Sequence, residues 1–141
     1  YVFEAFARCG RADLVMRRLD LWRNFVAHGA RTAFETQDPA GTRSDCHAWS
    51  ACPVYFVQTA FAGVTPASPF FKTVRIAPQP VEGLDWAEAT VGTPYGRVMV
   101  RWERKDGAFR LTADVPAGTT AEVRLPGGKT VTVGPGRNVL D

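Results

Sequence analysis

Apolar residues in this sequence recur with a helical period as far as Ala62 and with a strand period from Phe71 on. Between them, Ala62-Gly63-Val64-Thr65-Pro66-Ala67-Ser68-Pro69 breaks helix with glycine and proline. A chain of 141 residues holds one domain or two small ones. The change of period divides it into a helical part, residues 1–68, and a strand part, residues 69–141. An α+β class follows.

Residues 1–9 put Val2, Phe3, Phe6 and Ala7 on one side of a helix that stops at Gly10. Residues 12–28 carry Val15, Leu19, Trp22 and Val26 at helical spacing, with Leu14, Leu21 and Phe25 widening the stripe. Asp13 in the first turn and His28 in the last suit the helix dipole. Together these segments predict an αα-hairpin whose wide apolar face needs other helices to cover it. A third helix is expected over residues 46–62, capped by Asp45 or Ser44, with Pro53 bending it or marking where its regular part begins. Three helices are too few for a bundle.

Downstream, residues 73–76, 84–91, 97–103, 108–115, 121–125 and 129–133 alternate or run apolar between Gly/Pro turns, and Lys105-Asp106-Gly107 is a strong hairpin turn. The expectation is an antiparallel β-sandwich or jelly-roll-like domain. Trp22, Trp86 and Trp102 fit the apolar stripes and are expected in the core, with a sugar platform as the alternative role for Trp86.

Composition removes several function classes. The 45% apolar and 22% charged residues are ordinary for a globular protein. No apolar run reaches the roughly eighteen residues a membrane span needs. Seventeen basic residues are interleaved with fourteen acidic ones, so no basic stripe for nucleic acid emerges. Cys9, Cys46 and Cys52 form no paired ligand spacing, so no metal is expected. Position 1 is tyrosine, without leader features, and the chain opens inside a helix. A piece of a longer protein is expected.

The stretch that concentrates chemistry is residues 34–51, a loop with acids, a guanidinium, an imidazole and an indole. Read from residue types alone, Glu35 is an exposed loop acid and His47 bonds backbone at a helix start. Asp38 and Asp45 serve a turn and a cap, and Trp49 packs in a core. The string Phe34-Glu35-Thr36-x-Asp38-Pro39, then Ser44-x-Cys46-His47-Ala48-Trp49-Ser50-Ala51, resembles the end of the catalytic domain of bacterial inverting α-L-rhamnosidases. Phe71-Lys72-Thr73-Val74-x-Ile76-x-Pro78, Pro94-x-Gly96, Trp102 and Val115-Pro116-x-Gly118-Thr119 resemble that family's C-terminal β-domain.

The resemblance implies a different reading of the loop. Residues 1–68 become the last helices of a six-hairpin (α/α) barrel. Glu35 becomes the general base, His47 a contact in the sugar pocket, Trp49 a stacking surface, and Arg43 and Asp45 partners that orient Glu35 or His47. Inverting hydrolysis uses one acid to protonate the leaving oxygen and one carboxylate to activate water, roughly 6.5–9.5 Å apart. The resemblance implies chemistry without a cofactor. The acid is expected upstream of this chain, so the chain alone should be inactive. Implied partners are rhamnose-containing glycosides or polysaccharides and the upstream part of the same enzyme. Uncovered helix surface points to homo-oligomerisation. Two alternatives stand beside this reading: a non-catalytic carbohydrate-binding or interaction sandwich, and a related barrel glycosidase acting on another sugar.

Overall fold

In the computed structural model, which describes residues 1–141, helices precede strands in the expected order. The chain divides into two units, Tyr1–Phe56 and Val57–Asp141.

The first unit begins with α1 (Val2–Arg8), α2 (Ala12–Arg17) and α3 (Asp20–Ala27). Residues 12–28 are therefore not one helix. The Arg18 and Leu19 amides reach back only three residues, to the Val15 and Met16 carbonyls, so the backbone tightens there. The tightened turn re-aims α3: Phe25 is buried, whereas Val26, on the expected stripe, is exposed. Phe3 packs on Trp22 and Phe56 at 5.8 and 5.5 Å between ring centroids, and Phe25 on Phe34 at 5.2 Å. Tilted and edge-on pairs of this kind each add about 0.5–1.5 kcal/mol beyond burial.

The third helical segment starts later than expected. A 3-10 turn, Ala48–Ala51, leads into α4 (Cys52–Phe56), and a π-helical turn, Val57–Phe61, follows. Pro53 sits at the second residue of α4, so it marks the start of regular helix. Neither Asp45 nor Ser44 caps the segment; the N-cap is His47, with no side-chain cap bond.

The second unit holds β1 (Val64–Pro66), β2 (Thr73–Ile76), β3 (Trp86–Thr93), β4 (Gly96–Lys105), β5 (Ala108–Val115), β6 (Thr120–Arg124), β7 (Thr130–Val133) and β8 (Gly136–Leu140). They form two four-stranded sheets, ordered β1-β2-β6-β7 and β3-β4-β5-β8. Every pairing is antiparallel except β2 with β6, which is parallel, because the connection between them builds much of the other sheet first. β1 and β8 were not expected from the sequence. Both are edge strands, where a proline such as Pro66 is tolerated.

Alternate residues of each sheet are buried: Val74 and Ile76 on β2, Ala121 and Val123 on β6, Ala87 and Ala89 on β3, and Val98, Val100 and Trp102 on β4. The two buried faces make a sandwich core. Asp106 and Gly107 take φ values of 52° and 80°, the left-handed pair a two-residue hairpin needs. Trp102 is fully buried as expected, whereas Trp86 is 54% exposed on the outer face of its sheet.

Gly63 leads into β1 with φ +79°, and its carbonyl accepts the Ala77 amide at 2.9 Å. A Cβ there would lie 2.2 Å from the Ala77 carbonyl carbon. Backbone clash adds to left-handed strain, so Gly63→Ala should destabilise residues 57–141 by about 3 kcal/mol or more. Gly127→Ala, at φ +92° with open space around it, should cost only about 1–2 kcal/mol. Urea denaturation of the two variants checks the difference.

Candidate functional site

The loop between α3 and the third helical segment is held by two long-range backbone bonds. The Glu35 amide donates to the Ser44 carbonyl at 3.0 Å, and the His47 amide donates to the Ala33 carbonyl at 2.8 Å. Glu35 and His47 therefore stand on opposite arms of one closed loop. Hydroxyls fill in between: Thr32 donates to the Asp45 carbonyl, and Thr42 to the Ser44 carbonyl at 2.9 Å. At the tip, Asp38 caps the short turn Pro39–Gly41 by accepting the Ala40 amide at 3.0 Å.

Ser50 is the joint that seats this loop on the helices. It is buried, and its hydroxyl faces the carbonyls of Phe34 and His47, one on each arm. Its own carbonyl accepts the Trp22 indole N–H at 2.6 Å. One serine thus fixes both arms relative to α3. Residue types alone assign Ser50 no role and place Trp22 only in the core; a small polar residue between Trp49 and Ala51 was the available signal.

The result is a cleft of about 270 Å³ with an apolar floor from Leu21, Trp22, Phe25 and Phe34. Glu35 is the only carboxylate among its lining residues, and Trp49 stands at its wall. The Glu35 side chain is 24% exposed, and Arg43 donates to its Oε1 at 3.2 Å. Arg43 is itself 83% exposed, so the pair orients the carboxylate more than it stabilises the fold. Burial pushes the Cys52 thiol up, so this lining residue is a neutral thiol and not a nucleophile at neutral pH.

Trp49 is 79% exposed, so it packs in no core within residues 1–141. His47, Arg43 and Asp45 lie outside the cleft lining. Asp45 is exposed and contributes its backbone carbonyl. No three His, Cys, Asp or Glu side chains converge as a metal site would require, and no helix is long and apolar enough to cross a membrane.

The family described as bacterial alpha-L-rhamnosidase C-terminal domain matches residues 63–139. The chain belongs to this family. Its match covers most of the sandwich unit, and the likeness to rhamnosidases continues upstream. The α-L-rhamnosidase of Formosa agariphila is 42% identical over 64 residues, 45% of this chain and 7% of that protein. The crystal structure of an Aspergillus terreus α-L-rhamnosidase superposes with a TM-score of 0.88 and 28% identity, covering 98% of this chain and 18% of that one. That of a Streptomyces avermitilis α-L-rhamnosidase complexed with L-rhamnose gives a TM-score of 0.72 and 26% identity, over 85% of this chain and 15% of that one. This rhamnosidase C-terminal chain thus spans less than a fifth of each of these relatives.

The geometry of Ser50 makes a local prediction. Ser50→Ala removes the shared hydroxyl and leaves the Phe34 carbonyl short of a donor, while the His47 carbonyl keeps the Ser50 amide at 3.1 Å; the cost is about 1–3 kcal/mol. Hydrogen exchange at the Glu35 and His47 amides should accelerate, while exchange in β4 and β5 stays unchanged.

Proposed function

We propose that this chain is the C-terminal part of an α-L-rhamnosidase that releases terminal α-L-rhamnosyl groups with inversion, with Glu35 as the general base. The observation that carries this reading is the position of Glu35 as the lone carboxylate of an apolar cleft, beside the exposed Trp49. The likeness to rhamnosidases across both units supports the choice of sugar.

In this mechanism Glu35 takes a proton from a water as the water oxygen attacks the anomeric carbon. The leaving oxygen departs on the opposite face and receives a proton from a second carboxyl group. Arg43 holds Glu35 Oε1 and leaves Oε2 for the water. Trp49 offers an indole face to the C–H side of the sugar. His47 contacts a hydroxyl at the loop's other arm, and Asp45 steadies that arm through its carbonyl bond to Thr32. Because the cleft contains one carboxylate, the proton donor belongs to an upstream part of the same enzyme.

Two measurements test the assignment. In the full-length enzyme, Glu35→Gln should lower kcat by about a hundredfold or more with little change in KM; near-normal turnover removes Glu35 from the base role. The 141-residue chain alone should leave an aryl α-L-rhamnoside intact, and turnover at a glycosidase rate would show that the chain holds both carboxyl groups.

A further inference from the structure

The outer face of the β3-β4-β5-β8 sheet is built differently from an ordinary solvated face. Its registers place three rows side by side: Trp86, Glu103 and Arg110; Glu88, Arg101, Thr112 and Val139; Thr90, Met99, Asp114 and Arg137. Trp86, Met99 and Val139 are 54%, 43% and 53% exposed, so a face that points to solvent carries large apolar side chains. Between Met99, Thr112, Asp114 and Arg137 lies a hollow of about 200 Å³, rimmed by Glu88 and Arg101.

The charged groups in these rows fall into two kinds. Arg101 is held by Glu88 at 3.3 Å and Glu103 at 3.6 Å, and its guanidinium lies 4.8 Å from the Trp86 ring centroid. Arg110 is held by Asp141 at 2.8 Å. Asp114 and Arg137 are direct cross-strand partners and line the same hollow, yet they form no ion pair with each other or with any other side chain. An acceptor and a forked donor thus stand side by side next to Met99, neither of them in an ion pair.

We propose that this face binds a neutral oligosaccharide, with Asp114 and Arg137 gripping the hydroxyls of one sugar and Trp86 meeting the C–H face of another. Neighbouring hydroxyls on a pyranose donate and accept at once, which is what a free carboxylate beside a free guanidinium requires. Carboxylates and guanidinia in the three rows balance, so the face selects neither a polyanion nor a polycation. Met99 and Val139 supply apolar area for the sugar's C–H groups. Four residues along the strands and two strands across separate Trp86 from Asp114, a diagonal of about 17 Å. That span exceeds one pyranose ring, so the ligand is a chain of sugars. The site lies within the sandwich unit and rests on nothing in the Glu35 loop; only the rhamnose content of the probe below follows from the proposed function.

Amide NMR titrations of the 141-residue chain test the site, using a neutral rhamnose-containing tetrasaccharide, a neutral gluco-tetrasaccharide and L-rhamnose itself. Saturable shifts at residues 99, 112, 114 and 137 with at least one tetrasaccharide are expected, with much weaker binding of the monosaccharide. Trp86→Ala and Arg137→Ala should each weaken binding about tenfold, whereas Glu35→Gln should leave it unchanged. Both substitutions are on the solvent face, so unfolding does not confuse the result. Absence of saturable shifts with both tetrasaccharides overturns the site, as do wild-type affinity in both variants, shifts confined to residues 33–52, or equal affinity for L-rhamnose. Loss of hydrolysis in full-length Glu35→Gln is a separate readout, so either reading can fail without the other.

Discussion

Trp102 brings a polar N–H into the interior of residues 57–141, and the way that group is satisfied determines how the unit is assembled. The indole is fully buried on β4, stacks on Phe109 at 5.6 Å, and donates to the Phe61 carbonyl at 2.7 Å. Phe61 ends the π-helical turn, in which the Ala62 amide reaches back to the Val57 carbonyl. Carbonyls at the end of a helix lack intrahelical donors, so the indole fills a need that the helix terminus creates. The Gln79 amide on Ala60 and the Ala77 amide on Gly63 fasten the same stretch. This explains why the end of a helical segment groups with the sandwich.

The strongly patterned elements were legible in the sequence, and the physical reasons for the others can be named. β5 has the bounds its alternation gives, and the Asp106-Gly107 turn forms where left-handed backbone is cheapest. β1 is only three residues ending in a proline and β8 opens on Gly-Arg-Asn, so neither carries a clear strand pattern; edge pairing with a neighbour makes them strands. Residues 12–28 read as one helix because the tightened turn at Arg18 and Leu19 uses residues that any helix accepts. The parallel pairing of β2 with β6 has no local sign at all, since register between distant strands is a property of the assembled sheets.

At the candidate site, the sequence identified chemical groups more readily than their neighbours. Glu35 and Trp49 do share a cleft, and Arg43 does reach Glu35. What residue types did not convey is that Ser50 and Trp22, each with one polar group aimed inward, set the distance between the loop's arms. Capping at the third helical segment differs for a related reason. Asp45 gives its carbonyl to Thr32, and the helical turns begin only after His47. Trp86 fits an apolar alternation, yet β3 is an edge strand and its even-numbered residues face outward.

The single parallel pair bears on how the sandwich comes into being. β3, β4 and β5 follow one another through short connections, so their contacts are local and close early with little loop entropy. β2 meets β6 only after that meander has been bridged, and β1 and β7 find their places on either side of this pair. Until then Thr73–Ile76 has only the short β1 beside it, and its other side, the one that β6 will take, is an open edge in a partly made protein. On a ribosome, those residues leave the tunnel well before their parallel partner, Thr120–Arg124, has been synthesised. The order of synthesis therefore sets an interval in which this edge depends on the chain's own helical end, or on a chaperone, to keep it from pairing with a neighbour.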